Sequence, residues 1–133
     1  MKSTPLASTT IRIAVVDDDE TIRSTLAEAV GHFEGCQCVG IYASGKEALA
    51  GIPVTPPDVV LMDINMPGMN GIECVSHLKA LLPAVEIVML TVYQDTDSVL
   101  KSLGAGANGY LLKRAEREEI LAVIRQVLAG GPR

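Results

Sequence analysis

Short apolar runs alternate with stretches of helical periodicity five times along this chain. Val, Ile, Leu and Met dominate the runs, which cover residues 11–16, 36–42, 58–62, 86–90 and 110–112. The stretches that follow repeat apolar residues every three or four positions, near 20–33, 45–52, 71–82, 96–103 and 116–129. The first pattern is typical of buried parallel strands and the second of amphipathic helices. Five such units predict an α/β fold, with a parallel sheet covered by helices on both faces.

Two of the predicted strands run directly into acidic residues. Asp17 and Asp18 follow the first strand, and Asp63 follows the third. Ligands of open α/β sheets bind beyond the carboxyl ends of the strands, so we expect these carboxylates to converge at one edge. Like charges at short range repel each other, and a hard divalent cation allows them to stay ionised. The pattern therefore predicts a Mg²⁺ site.

Two further strand ends add a hydroxyl and a cation to the same edge. Thr91 closes the fourth strand and Lys113 follows the fifth. A carboxylate such as that of Asp63 can attack phosphorus as a nucleophile. A lysine can neutralise phosphoryl oxygens and a threonine can donate a hydrogen bond to one of them. The combination indicates phosphoryl chemistry with Asp63 as the acceptor.

Composition and charge narrow the function classes. The 133 residues fit one domain, and a hydrophobic fraction of 48% is ample for its core. A net charge of −5 with no basic block argues against direct nucleic-acid binding. No apolar run approaches the ~20 residues of a membrane span, and residues 1–10 lack the apolar core of a signal peptide. We therefore expect a cytoplasmic protein whose three cysteines are core thiols rather than disulfides.

Four motifs, each at a strand end, resemble the receiver domain of two-component response regulators. They are Val16–Asp19, Leu61–Gly71, Leu90–Thr91 and Gly109–Lys113. The resemblance covers about residues 11–129, and the receiver domain that it indicates is CheY-like. It implies a flavodoxin-like, doubly wound sheet of five parallel strands in the order 2-1-3-4-5, with five helices. It also implies Mg²⁺ and phosphotransfer from a sensor histidine kinase to an aspartate.

The resemblance assigns roles at the acceptor site residue by residue. Asp63 would be the phosphorylated residue, with Thr91 and Lys113 as its catalytic partners. The implied metal ligands are Asp17 (chiefly through water), Asp18, Asp63 and the backbone carbonyl of Asn65. Such a domain is not a conventional enzyme, because it catalyses only its own phosphorylation and dephosphorylation.

The resemblance also implies a conformational switch beside that site. Thr91 would move to bond the phosphoryl group and Tyr110 would follow it. Asn65 and Tyr93, two positions beyond Asp63 and Thr91, would tune the lifetime of the phosphorylated state.

The ending Tyr110–Lys113 is similar to that of the NarL/LuxR-type transcription regulators. That subclass implies control of transcription through a C-terminal helix-turn-helix domain, which is absent from this chain, and a homodimer on phosphorylation. The chain then divides into a lead-in (1–10), the receiver (11–129) and the start of a linker or tail (130–133).

Two positions depart from the family pattern. Receivers commonly have a proline in a cis bond after the lysine, whereas Arg114 follows Lys113 here. A cis non-proline bond costs ~3 kcal/mol, so we expect either a trans bond or a strained turn. The residue after the threonine is often small, whereas Val92 stands here. We expect its larger side chain to narrow access to Asp63.

A competing enzyme interpretation comes from the segment Asp17–Thr21, which fits the D-x-D-x-T motif of haloacid-dehalogenase-type phosphatases. In that Mg²⁺-dependent class Asp17 would be the nucleophile and Asp19 the general acid/base. The chain lacks the later acidic pair in its expected context and has little room for a capping domain. A binding-only pseudo-receiver is disfavoured because the acidic and cationic set is complete. Labelling of Asp63 rather than Asp17 by a phosphodonor separates receiver from phosphatase.

Overall fold

Strands and helices alternate along the whole described chain, which comprises residues 10–92 and 96–130 of a computed structural model. The elements are β1 Ile11–Val16, α1 Glu20–His32, β2 Cys36–Tyr42, α2 Gly45–Gly51, β3 Val59–Asp63, α3 Gly71–Leu81, β4 Glu86–Thr91, α4 Thr96–Ala105, β5 Gly109–Leu112 and α5 Arg117–Leu128. All strand pairs are parallel, and the order in the sheet is β2-β1-β3-β4-β5. The predicted flavodoxin-like fold is confirmed.

The sheet separates two apolar clusters. One lies under α2 and α3 and includes Met62 and Met89, while the other lies under α1 and α5 and includes Leu61 and Leu90. Successive side chains of a strand point to opposite faces, so the central strands β3 and β4 contribute to both clusters. Because β3 and β4 are buried on both sides, their sequences are continuous apolar runs.

An irregularity in the edge strand β2 changes which face its side chains occupy. The pairing with β1 passes from Cys38 to Gly40, so Val39 is an extra residue in the strand. Cys36 and Cys38 therefore pack on the α1/α5 cluster, whereas Tyr42 packs on the opposite one. All three cysteines are free, as expected, and Cys74 is fully buried, whereas the two on β2 are half-buried.

The caps predicted from sequence are present at the helix starts. The Asp19 carboxylate accepts the Ile22 N–H at 3.0 Å at the start of α1. At α2 the Ser44 hydroxyl accepts the Glu47 N–H at 3.1 Å. At α3 Asn70 forms a capping box with Glu73. N-caps of this kind satisfy N–H groups that a helix leaves unpaired, and they set where each strand-to-helix loop ends.

The third strand lies one residue later than its predicted range. Asp58 precedes β3, and its carboxylate accepts the Arg12 N–H at 2.9 Å. Asp63 is instead the last residue of the strand and forms part of the ladder with β4. The acidic residue is therefore held by the sheet itself and not by the loop after it.

Some sequence predictions fall outside the described residues. These are the predictions for residues 1–9 of the lead-in, for Tyr93, and for residues 131–133 of the tail. Within residues 10–92 and 96–130, the helices include none with both the length and the apolar character that a bilayer crossing requires.

Candidate functional site

The carboxyl ends of four strands lie at one edge of the sheet. Asp17 follows β1, Asp63 ends β3, Thr91 ends β4 and Lys113 follows β5. Parallel pairing keeps these ends level, because Asp63 pairs with Leu90 and the other ladders end within a residue of it. The structure thus brings together the acidic, hydroxyl and cationic residues that the sequence placed at strand ends.

Lys113 forms ion pairs with two carboxylates at this edge. Its Nζ lies 2.9 Å from Asp17 Oδ2 and 3.1 Å from Asp63 Oδ1. The lysine side chain is only 13% exposed, and the two carboxylates are at most 2% exposed. Burial by itself lowers the pKa of Lys113, but the two carboxylates outweigh it and the pKa is raised. Lys113 is therefore a fixed positive charge.

The three acidic residues form a cluster suited to a cation. One oxygen each of Asp17, Asp18 and Asp63 lies within 4.8 Å of the others, and Asp18 is the exposed member. Asp63 Oδ2 is buried and accepts no hydrogen bond from the described residues. A buried carboxylate oxygen without a donor is costly, and oxygen atoms of this kind are the ligands that hard divalent cations prefer. The residues present fit a metal ion such as Mg²⁺.

Burial and the repulsion among the carboxylates of the cluster change the pKa of Asp63. Burial, followed by the neighbouring carboxylates of Asp18 and Asp17, raises the pKa of Asp63 from 3.8 to about 7. Lys113 opposes this rise but does not overcome it. A second positive charge on the open side, next to Asp18, would favour the ionised and nucleophilic form of Asp63.

Backbone contacts hold the acidic residues in place. Asp17 Oδ1 accepts the Asp19 N–H at 2.9 Å, and the Arg23 guanidinium donates to the Asp17 carbonyl oxygen at 2.8 Å. On the other strand, the Asn65 N–H donates to Asp63 Oδ1 at 3.2 Å. Sequence reasoning missed Arg23, since nothing in its spacing distinguishes it from any other polar residue on a helix.

Thr91 and Tyr110 lie on the same face of the sheet. Tyr110 pairs with Met89, and both pack on the α2/α3 cluster, to whose side strand alternation also directs Thr91. Thr91 is 3% exposed, and its carbonyl oxygen accepts the Lys113 N–H at 2.8 Å. The backbone of Thr91 thus contacts that of Lys113, and its side chain shares a sheet face with Tyr110. A switching role for Thr91 and Tyr110 stays a prediction.

Val92 and Arg114 directly follow Thr91 and Lys113 at this edge of the sheet. Together with Lys113 they line a cavity of about 300 Å³, and both are exposed, Val92 to 49%. The peptide bond between Lys113 and Arg114 is trans, as are all others in the described residues. Of the two geometries that we expected for this bond, the structure has the trans form.

Asp19 does not point into the acidic cluster. Its carboxylate is used as the N-cap of α1, and its backbone N–H donates to Asp17 Oδ1. A phosphatase of the D-x-D-x-T class would need this side chain as general acid/base. The geometry therefore speaks against the phosphatase interpretation.

Comparison with known proteins decides the family. Residues 13–125 match the family model "Response regulator receiver domain". The chain belongs to this family. The receiver domain is 38% identical over 120 residues to the response regulator GacA of Pseudomonas aeruginosa, and 35% identical over 121 residues to the transcriptional regulatory protein LnrK of Bacillus subtilis. Family membership excludes the phosphatase alternative.

A solved structure agrees with the sequence matches. The receiver domain is similar to a two-component response regulator of the LuxR family from Aurantimonas, with a TM-score of 0.86 and 34% identity. That match covers 92% of this chain and 87% of the other. The alignments with GacA and LnrK cover 90% and 91% of this chain but 56% and 55% of theirs. The chain thus spans about half the length of these curated relatives.

Proposed function

We propose that the receiver domain accepts a phosphoryl group on Asp63 from a sensor histidine kinase. The observation that carries the proposal is the state of the Asp63 carboxylate. One of its oxygens is paired with Lys113 at 3.1 Å, and the other is buried without a hydrogen bond. A carboxylate held in this way can act as a nucleophile, with Lys113 placed to neutralise charge that develops on the phosphoryl oxygens.

We infer that Mg²⁺ is held by Asp17, Asp18 and Asp63, together with the backbone carbonyl of Asn65. The cluster of three carboxylates and the raised pKa of Asp63 support this assignment. When bound, the cation supplies neutralisation of the acceptor and of the transferred group. The protein residues do the positioning: Lys113 orients Asp63, and the backbone contacts around Asp17 keep the ligands converging.

We infer that Thr91 and Tyr110 form the switch that reports phosphorylation. A phosphoryl group on Asp63 adds charge and acceptor oxygens next to the Thr91 hydroxyl. Rotation of Thr91 toward the new group would leave space on the face where Tyr110 packs, which changes the surface around α4, β5 and α5. Asn65 and Tyr93 are proposed to tune how long the phosphoryl group survives.

The proposed output is control of transcription. LnrK is called a transcriptional regulatory protein and the Aurantimonas protein a member of the LuxR family, which supports this assignment. The full protein would then couple the receiver to a helix-turn-helix DNA-binding domain and form a homodimer on phosphorylation. A cytoplasmic location and self-catalysed phosphorylation and dephosphorylation belong to the same proposal.

The test is phosphoryl uptake from acetyl phosphate with Mg²⁺, followed by intact mass and mapping of the modified residue. Wild-type protein should take up one phosphoryl group on Asp63, and Asp63→Asn should take up none. Asp19→Asn is the matched control, because it makes the same charge change nearby while Asn retains the helix cap. Full labelling of Asp63→Asn, or a label on Asp17, would refute the proposal.

A further inference from the structure

Arg114 directly follows Lys113, at the same edge of the sheet as the acceptor site. It is exposed, and it lines the cavity of about 300 Å³ that it shares with Val92 and Lys113. Lys113 is also the residue whose Nζ contacts Asp63. The cavity therefore lies at the same edge of the sheet as the acceptor carboxylate, and a donor that approaches Asp63 from this side comes within range of the Arg114 charge.

The positive charge of Arg114 is not engaged by the residues that the structure describes. Within residues 10–92 and 96–130 it forms no ion pair, since the ion pairs found there belong to Lys113. Arg114 also borders a second cavity that contains Glu116 and Glu119. The Glu119 carboxylate accepts the Glu116 N–H at 2.8 Å, and neither acid is within ion-pair distance of the guanidinium. With respect to the described part of the chain, the Arg114 charge is thus available to a ligand.

Two features of the protein indicate a role for the Arg114 charge. The chain carries a net charge of −5, and the site itself presents Asp18 on its open side, so an anionic donor is repelled as it approaches. A guanidinium pairs well with phosphate, because its planar donors match the phosphate oxygens. Lys113 is only 13% exposed and is paired with two carboxylates, so it presents less charge than Arg114 to a donor that is still in solution.

We propose that Arg114 is a specificity-determining residue that draws doubly charged small phosphodonors to the acceptor site. The proposal rests on the proposed function, with Asp63 as acceptor. In the reaction with acetyl phosphate, the bond between phosphorus and the acetyl oxygen breaks and acetate leaves with the electron pair. A new bond forms between phosphorus and an Asp63 oxygen, and no proton is transferred. Arg114 acts on the encounter and not on these bonds.

The experiment measures labelling rates against acetyl phosphate concentration, with Mg²⁺, for wild type, Arg114→Gln, Arg114→Lys and Arg125→Gln. Arg125 is an exposed residue in the last turn of α5, near Cys36 at the other end of the sheet, so its variant is a charge-matched control. At low ionic strength Arg114→Gln should lower the second-order rate constant about threefold, and added salt should shrink this gap. The rate at saturating donor should not change.

Arg114→Lys should keep most of the wild-type rate, and Arg125→Gln all of it. Equal second-order rate constants for wild type and Arg114→Gln would overturn the inference while leaving the proposed function intact. An equal loss in Arg125→Gln would also overturn it, because the effect would then come from net charge alone. A wild-type protein that takes up no label, or a label that persists in Asp63→Asn, overturns the proposed function and the inference with it.

Discussion

Gly71 packs against the backbone of Asp63 so closely that a β-carbon at position 71 would overlap the Asp63 carbonyl oxygen. The Gly71 N–H also donates to the Ile64 carbonyl oxygen at 2.8 Å. Gly71 is the first residue of α3, so the start of this helix is wedged against the end of the strand that carries the acceptor. The position of Asp63 thus depends on a residue with no side chain.

Replacing Gly71 by alanine should therefore destabilise the fold. The new methyl group meets backbone atoms, which cannot move aside as a flexible side chain would, so we expect a loss of about 2 kcal/mol in the free energy of unfolding. Gly104→Ala is the control, because its β-carbon meets nothing within 4 Å and alanine favours the helix by about 0.5–1 kcal/mol. Urea unfolding measures both, and similar effects of the two variants would contradict the packing argument.

Removing the charge of Lys113 should expose the repulsion in the acidic cluster. Lys113→Met leaves Asp17 and Asp63 buried without their cation. We expect a loss of about 2 kcal/mol or more in the free energy of unfolding in metal-free buffer at about pH 8, with Lys101→Met, on an exposed lysine of α4, as the unaffected control. Added Mg²⁺ should restore more stability to Lys113→Met than to wild type. No difference between the two lysine variants would show that the ion pairs contribute nothing.

The raised pKa of Asp63 makes metal-free stability depend on pH. In the folded state the pKa is about 7, above its usual 3.8, so the folded state holds a proton that the unfolded chain releases. This contribution is complete below the unfolded value and is lost as pH rises toward 7, with a slope of at most about 1.4 kcal/mol per pH unit. Asp63→Asn should lack this slope, and Mg²⁺ should flatten it in wild type. Parallel pH profiles for wild type and Asp63→Asn would contradict the assignment.

Asp18 and Asp19 should have separable roles although they are neighbours. Asp18→Ala removes an exposed member of the cation cluster, so we expect Mg²⁺ affinity to fall about tenfold or more with little loss of stability. Asp19→Ala removes the cap of α1, so we expect a loss of about 1 kcal/mol in stability and little change in Mg²⁺ affinity. Calorimetric Mg²⁺ titration and urea unfolding separate the two effects, and a reversed pattern would show that the roles are exchanged.

Val92 should limit access to Asp63. Its side chain is 49% exposed and lines the same cavity as Lys113. Val92→Ala should therefore speed labelling of Asp63 by acetyl phosphate about twofold or more, since an effect on approach alone is modest. Val54→Ala, on a valine that is 80% exposed after α2, serves as the control. Equal labelling rates in wild type and Val92→Ala would remove the hypothesis.

Most of the fold was predictable because its signals are local and repeated. Runs such as Val59–Met62 are apolar throughout only when both sheet faces are covered, and caps such as Asn70 fix a helix start within a few residues. The exact first and last residues of the strands were harder to predict. The start of β3 moved by one residue because Asp58 is engaged by the Arg12 backbone across the sheet, a contact that no local pattern reveals.

The sequence by itself determined which chemical groups stand at the strand ends: two acids after β1, one acid at β3, a hydroxyl at β4 and a lysine after β5. Only the tertiary structure decided how they meet, with Lys113 between Asp17 and Asp63, and Gly71 wedged against the Asp63 backbone. The reason is physical. Strand and helix periods depend on neighbours a few residues apart, whereas ion pairs and close backbone contacts join segments that only the folded sheet brings within 3 or 4 Å.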